Sequence, residues 1–207
     1  MRLLLVRHGQ SEGNAAGIVQ GSMDFGLTEL GALQARVTAE RLAREEIHRI
    51  VSSPLRRAAD TAVAISEGTG VTIEFADGLR EYDIGAASGL TAAEIRERFP
   101  DIAEARRRGE RLPFPGEEGR DAFHARLRSV LDQIQGAGGT TVAVAHGGVV
   151  GAMCQIVVGL GPRHRGLFEA ANCSVTEILR DAGGRLVIAR HNDTCHLSGI
   201  VTRLDRG

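Results

Sequence analysis

The chain has 207 residues, a mass of 22.0 kDa and a formal net charge of −1 at pH 7, so its length suits one domain with a sizeable core. Its 25 basic residues are all arginines, and the lack of lysine excludes Schiff-base chemistry on a lysine and a Walker-type phosphate loop. The balanced charge leaves no basic surplus for nucleic acid or an anionic membrane, so we expect neither as a partner.

The cysteines and the first residues indicate where the protein works. Cys154, Cys173 and Cys195 are odd in number and widely spaced, which is typical of a reducing compartment rather than a disulfide framework. The apolar run at residues 1–6 is too short for a signal peptide, and no stretch approaches the ~20 apolar residues of a membrane span. We therefore expect a cytoplasmic location.

The first part of the chain predicts strands that alternate with helices. The strands are short runs of apolar residues, and the helices show apolar positions three and four residues apart. In chain order the pattern predicts a strand at 3–6, a helix at 28–45 with Thr28 as N-cap, a strand at 50–52, a helix from Pro54 to about Glu67, and a strand at 71–75.

The rest of the chain continues this alternation. The pattern predicts a capping-box helix from Thr91 that ends before Pro100, an irregular stretch at 100–120, a helix at 118–135, a strand at 140–145, a helix at 149–158, and two strands at 174–179 and 186–189 around a Gly183-Gly184 turn. Together the elements predict an α/β fold, a three-layer α/β/α sandwich with a mostly parallel central sheet. We expect one domain over residues 1–207, with a small helical or irregular insertion at about 86–120.

Unusual residues follow three of the predicted strands. The first strand ends in Arg7-His8-Gly9, the second leads into Arg56-Arg57, and the strand at 140–145 ends in His146-Gly147-Gly148. Since ligands of such sheets bind at the carboxyl ends of the strands, two histidines and several arginines should meet at one edge.

These residue types suit the chemistry of phosphate esters. An arginine guanidinium matches phosphate oxygens two at a time, and a neutral histidine can attack phosphorus. Gly9 and Gly147 would let a ligand approach the backbone closely, and the helix after His146 would offer an anion site at its N-terminus. A proton donor is also needed, and the segment after the third strand offers both Glu81 and Asp83, between which composition does not choose.

Five motifs in order resemble the histidine phosphatase superfamily, in its phosphoglycerate-mutase-like branch, over nearly the whole chain. They are Arg7-His8-Gly9-Gln10-Ser11 with Asn14, Leu27-Thr28-Glu29-Leu30-Gly31, Ser53-Pro54-Leu55-Arg56-Arg57-Ala58, Leu79-Arg80-Glu81, and His146-Gly147-Gly148. The resemblance implies a phosphoglycerate-mutase-like fold and a reaction that needs no cofactor and no metal.

The resemblance also implies the roles of the site residues. His8 would be the nucleophile that becomes phosphorylated, and Glu81 would be the proton donor. Three side chains would hold the phosphoryl oxygens: Arg7, Arg56 and a protonated His146. Four further residues would line the phosphate pocket: Asn14, Gln20, Gly21 and Gly147.

Three functions remain open at this point. We expect a phosphatase that hydrolyses a small phosphorylated metabolite through a phosphohistidine, because the segment between Glu81 and His146 is shorter than the lid-forming insertion of the mutases. A phosphoglycerate-mutase-type transfer is the alternative, and Arg106, Arg107, Arg108 and Arg111 could then bind a substrate carboxylate. A non-catalytic phospholigand binder is the third. A homodimer is also left open, and the 3% aromatic content argues against a stacking platform for a sugar or nucleobase.

Overall fold

The computed structural model describes residues 1–164 and 166–200, which form a central sheet with helices on both faces. In chain order the elements are β1 (Arg2–Arg7), α1 (Glu12–Ala15), β2 (Ile18–Val19), α2 (Glu29–Leu42), β3 (Arg49–Ser52), α3 (Arg56–Thr69), β4 (Ile73–Phe75), β5 (Leu90–Thr91), α4 (Ala92–Arg98), α5 (Pro100–Arg107), α6 (Arg120–Ala137), β6 (Thr140–Ala145), α7 (Gly147–Val157), β7 (Val175–Arg180) and β8 (Leu186–Asp193).

The main sheet has the strand order β4-β3-β6-β1-β7-β8. Strands β4, β3, β6 and β1 are mutually parallel, whereas β7 pairs antiparallel with β1 and β8 pairs antiparallel with β7. The mostly parallel sheet is therefore confirmed. Because β3, β6 and β1 are consecutive and parallel in the sheet, their carboxyl ends are neighbours at one edge of the molecule.

Alternation along β1 explains the three layers. Leu3 and Leu5 face one side of the sheet and pack with α6 and α7, while Leu4 and Val6 face the other side and pack with α2 and α3. All four side chains are buried, as expected of a central strand that is covered on both faces.

The segment between β4 and α6 forms a small structured unit beside the main sheet. Strand β5 pairs antiparallel with β2, and Thr91 and Glu94 form the expected capping box of α4. The prediction of an irregular stretch from residue 100 is wrong for its first part, because Pro100 begins the helix α5. Proline is tolerated at the first helical position, where its missing N–H would have no partner within the helix. A separate apolar cluster holds the unit together.

Two kinds of feature are absent from the part of the chain that the structure describes. Over residues 1–164 and 166–200, no helix combines the length and the apolar character needed to cross a bilayer. Over the same residues, no group of three or more histidine, cysteine or acidic side chains is placed to hold a metal ion.

Candidate active site

A cavity of about 490 Å³ opens at the carboxyl ends of the parallel strands. His8 follows β1 directly and lines the cavity, and His146 follows the neighbouring strand β6. Their ring centroids are 5.2 Å apart, with the rings packed edge to face. The fold therefore brings together two histidines that are far apart in sequence.

His8 is held in the form that can attack an electrophile. Its Nδ1 lies 2.6 Å from the carbonyl oxygen of Gly9, and because a carbonyl can only accept, Nδ1 carries the proton and Nε2 the lone pair. The ring is almost fully buried. Burial, together with the positive charges of Arg7 and Arg57, lowers the pKa of His8 well below its usual value, so the ring is neutral at physiological pH.

His146 lies behind His8 and does not itself line the cavity. Its Nε2 is 2.8 Å from the hydroxyl of Ser53 at the end of β3, and within the described residues its buried Nδ1 has no hydrogen-bond partner. Burial is the main cause that lowers the pKa of His146 well below its usual value, and the neighbouring His8 ring and arginines add to it. The structure therefore favours a neutral His146 over the protonated form expected from the sequence.

The second arginine of the pocket is Arg57, so the prediction of Arg56 is wrong by one residue. The Arg56 side chain is 69% exposed beside Asp60, whereas Arg57 is buried and lines the cavity. One residue of helix turns a side chain by about 100°, which carries position 57 toward the sheet and position 56 toward solvent. The signal was in the sequence, because Arg57 shares the helix face of the buried Thr61 and Ile65.

Both pocket arginines are fixed by backbone carbonyls. Arg57 donates from Nη1 to Met23 at 2.7 Å and from Nη2 to Gly21 at 2.9 Å, and its Nε has no partner among the described residues. Arg7 donates from Nη1 to the carbonyl of Ala170 at 2.7 Å. Two guanidinium groups are thus held in place at the end of the cavity that contains His8.

The loops after β1 and the first residue of α7 complete this end of the cavity, which we call the phosphoryl end after the role that the sequence resemblance implies for it. Asn14, Gln20, Gly21 and Gly147 all line it, as expected. The oxygen of the Asn14 side chain is engaged by Ser11, through both its backbone N–H at 3.1 Å and its hydroxyl at 2.9 Å. The side-chain amide of Asn172 donates to the same oxygen at 3.3 Å, so three groups hold Asn14 in place at the cavity wall.

Close backbone contacts hold the His8 segment against α2. A Cβ atom on Gly9 would lie 2.4 Å from the carbonyl oxygen of Gly31, and a Cβ on Gly31 would lie 2.0 Å from that of Gln10. Neither glycine has a positive φ, so both are required here by space and not by backbone conformation.

Of the two candidate acids, the structure brings Glu81 to the cavity. Its Oε2 accepts the backbone N–H of Gly148 at 2.9 Å, and its Oε1 accepts that of Tyr82 at 2.8 Å. A Cβ on residue 148 would lie 2.4 Å from the Glu81 carboxyl group, which explains the glycine there. Asp83 does not line the cavity and instead accepts the backbone N–H of Gly85.

Arg126 of α6 holds the Glu81 segment in place, and the sequence reasoning missed it. Its guanidinium donates to the carbonyls of Gly78 at 2.7 Å, Arg80 at 2.8 Å and Glu81 at 3.2 Å. The carboxylate of Glu118 accepts from the same guanidinium at 2.5 and 3.0 Å. One side chain thus holds three backbone carbonyls of the loop that carries Glu81.

The arginines of the 106–111 segment lie outside the cavity. Arg107 and Arg108 pair with Glu104, and Arg106 stacks on Phe114 with its guanidinium 4.4 Å from the ring centroid. Arg111 donates to the Tyr82 hydroxyl at 3.0 Å and also pairs with a glutamate. No member of this group is placed to bind a substrate carboxylate, which removes the main feature in favour of a mutase.

The far end of the cavity, which we call the distal end, was not anticipated. It is formed by α6, the second half of α7 and the segment 166–170, and it has an aromatic character. Three of the few aromatic residues line the cavity, contrary to the inference from composition: Tyr82, Phe123 and Phe168. Polar side chains also contribute to this end: Arg120, His124, Gln155, His164 and Glu169.

Comparisons with known proteins identify the family of the chain. The family model of the histidine phosphatase superfamily (branch 1) matches residues 3–194. Phosphoserine phosphatase 1 of Hydrogenobacter thermophilus is 32% identical over 200 residues, which cover 95% of this chain and 94% of that protein. The glucosyl-3-phosphoglycerate phosphatase of Mycolicibacterium vanbaalenii is 38% identical over 168 residues, with 77% and 75% coverage.

Solved structures show the same fold. The mycobacterial glucosyl-3-phosphoglycerate phosphatase superposes with a TM-score of 0.81 at 32% identity and covers 93% of this chain and 99% of its own. The Entamoeba histolytica phosphoserine phosphatase in complex with 3-phosphoglyceric acid superposes with a TM-score of 0.82 at 28% identity, with 95% and 98% coverage. The chain therefore belongs to branch 1 of the histidine phosphatase superfamily and is a phosphomonoester hydrolase.

Proposed function

We propose that the chain hydrolyses a small phosphorylated metabolite through a phosphohistidine on His8. The observation that carries this proposal is the state of His8, a neutral buried ring with its lone pair on Nε2, between two fixed guanidinium groups. Two named relatives act on phosphoserine and on glucosyl-3-phosphoglycerate, and we propose a substrate of this range for this chain.

In the first step, Nε2 of His8 attacks phosphorus and the bond from phosphorus to the ester oxygen breaks. Arg7 and Arg57 stabilise the charge on the equatorial oxygens, which is where a loose transition state concentrates it. Glu81 gives its proton to the departing alkoxide, so that the leaving group departs as an alcohol. His146, packed edge to face against the His8 ring, is the proposed second histidine of the phosphoryl site.

In the second step, water attacks the phosphorus of the phosphohistidine. Glu81, now a carboxylate held by the N–H groups of Gly148 and Tyr82, accepts a proton from that water. The bond from phosphorus to Nε2 breaks, which releases inorganic phosphate and restores neutral His8.

We also propose a cytoplasmic location, which the three free cysteines support.

Labelling with substrate phosphate tests the nucleophile. We expect the wild type, quenched during turnover of a ³²P-labelled substrate, to carry acid-labile and base-stable radioactivity, and His8→Asn to carry none and to release no phosphate. His48→Asn, at an exposed histidine outside the cavity, is the matched control and should label as the wild type does. Normal labelling of His8→Asn would overturn the proposal.

Leaving-group dependence tests the acid. p-Nitrophenolate departs without a proton, whereas an alkoxide needs one, so we expect Glu81→Gln to slow an alkyl phosphate by about 10² to 10⁴ and p-nitrophenyl phosphate far less. Asp83→Asn is the control and should not separate the two substrates. Equal losses on both substrates in Glu81→Gln would remove Glu81 from this role.

A further inference from the structure

We propose that the distal end of the cavity binds a hydroxyl-rich, sugar-type group of the leaving alcohol, with His124 and Gln155 as the residues that recognise it. This inference rests on the proposed function, because it assumes that the phosphate ester lies at the phosphoryl end. A distal end of this kind would favour long substrates that carry a sugar over three-carbon phosphates.

The length of the cavity follows from α7. One face of this helix lines it through positions 147, 148, 151, 152 and 155. The step from Gly147 to Gln155 is eight residues, or about 12 Å along the helix axis. Glycine or alanine occupies the first four of these positions, so Gln155 is the first long side chain that α7 presents to the cavity beyond the phosphoryl end. A three-carbon phosphate spans roughly half of this length at most.

The segment 166–170 contributes to the wall of the cavity and contacts both of its ends. A Cβ on Gly151 would lie 2.9 Å from the carbonyl oxygen of Phe168, so the segment 166–170 passes directly over the middle of α7. Its Ala170 carbonyl accepts from Arg7 at the phosphoryl end. Residues of both ends line the same cavity, so a single extended molecule can occupy both.

The chemistry of the distal end suits hydroxyl groups. His124 and Gln155 are both more than nine-tenths buried, they hydrogen-bond to each other, and Nδ1 of His124 has no partner among the described residues. Burial lowers the pKa of His124, so its ring is neutral. A neutral imidazole and an amide each offer a donor and an acceptor, which matches hydroxyl groups. The charged side chains of Arg120 and Glu169 line the same end, and they can donate to and accept from hydroxyls as well.

Aromatic rings complete the distal end. Phe123 and Phe168 line it, and Tyr82 packs edge to face against Phe123 with ring centroids 5.2 Å apart. A pocket with apolar walls and a few placed polar groups is typical of small-molecule recognition. The C–H faces of a sugar ring would contact the phenylalanines while its hydroxyls meet His124 and Gln155.

A matched pair of substrates tests the inference. 3-Phosphoglycerate and glucosyl-3-phosphoglycerate differ by one sugar, so the ratio of their kcat/KM values reports what the sugar contributes. We expect the wild type to prefer the glucosylated ester by at least tenfold. His124→Phe and Gln155→Leu should each lower that ratio about three- to tenfold, the effect expected of one lost hydrogen bond. Gln133→Leu, on the exposed side of α6 and outside the cavity, is the control and should keep the wild-type ratio.

p-Nitrophenyl phosphate separates failure of this inference from failure of the proposed function. If the wild type hydrolyses it but turns over the matched pair equally, the distal assignment is overturned and the phosphatase mechanism stands. A wild-type preference that neither variant changes would also overturn it, because the sugar would then bind elsewhere. If none of the three esters releases phosphate, the proposed function fails and the inference fails with it.

Discussion

Two adjacent arginines at the start of α3 differ completely in their surroundings. Arg57 lies inside the pocket with its guanidinium fixed by two carbonyls, and Arg56 lies in solvent. We expect Arg57→Lys to lower kcat/KM by about 10² to 10³, because a lysine cannot reproduce the guanidinium geometry at the phosphoryl oxygens. Arg56→Lys should stay within about threefold of the wild type, as is usual for an exposed charge.

The measurement is phosphate release from p-nitrophenyl phosphate, with inhibition by vanadate as a second readout of the phosphoryl end. Thermal unfolding shows whether each variant is folded. A larger loss in Arg56→Lys than in Arg57→Lys would contradict the assignment.

The sequence identified the chemistry of the phosphoryl end better than its exact residues. His8 and Glu81 were expected from the motifs and line the cavity. The prediction that Arg56 binds phosphate was wrong because the motif contains two adjacent arginines, and only their positions around the helix α3 distinguish the buried one from the exposed one. His124 and Gln155 were missed because an isolated polar residue on an apolar helix has many structural uses, and its function depends on what other segments place beside it.

At the scale of elements, α6 controls the loop that carries Glu81 through Arg126. We expect Arg126→Met to impair proton donation, because the carbonyls at positions 78, 80 and 81 lose their shared donor. Hydrolysis of an alkyl phosphate should fall about 10²-fold and hydrolysis of p-nitrophenyl phosphate clearly less, since general acid catalysis serves only the former. Arg126 is thus a positioning residue for the acid.

The control is Arg128→Met, on the same helix but outside the cavity. Glu118→Gln should show a weaker form of the same selective effect, because it loosens the other side of the Arg126 guanidinium. Equal losses on alkyl and aryl phosphates, with a matching fall in thermal stability, would mean that Arg126 acts on folding alone.

Local patterns predicted most elements, because each signal lies within a few residues. Thr28 caps α2 as expected, and Gly70 ends α3 with a left-handed backbone (φ 73°). The two-residue strands β2 and β5 were missed, since neither is long enough to show alternation. Helix α5 was missed because Pro100 was interpreted as a stop signal, although proline also suits a helix start.

At the scale of the whole molecule, burying neutral histidines makes stability depend on pH. Burial lowers the pKa of His8 and His146 well below 6.5, and that of His196 to about 4. Above pH 6.5 these rings are neutral in both states. Below pH 6.5 these histidines bind protons in the unfolded chain but stay unprotonated in the folded chain. The free energy of unfolding therefore falls as pH falls.

Each such ring contributes up to about 1.4 kcal/mol per pH unit between its unfolded and folded pKa values. Urea unfolding at pH 7.5, 6.0 and 5.0 should therefore show a steady loss of stability. His196→Gln should show a shallower loss than the wild type, and His48→Gln, at an exposed position, the same loss. A free energy of unfolding that stays constant over this range would contradict neutral burial of these rings.

The order of the strands could not be read from the sequence. β1 pairs with β6 and β7, which follow it by more than a hundred residues, and such pairings leave no local signal. Only the general rule for parallel sheets placed the ligand at the carboxyl ends. The distal end depends on three separate segments that meet there, so the sequence could not predict it and only the folded structure shows it.

The two glycines at positions 9 and 31 leave no free space between the catalytic segment and the first turn of α2. The segment of His8, the proposed nucleophile, therefore has its main chain in direct contact with α2, and a shift of α2 would move His8 with no side chain in between to absorb the displacement. The position of the His8 ring is in this sense set by α2, a helix that contributes no side chain to the lining of the cavity.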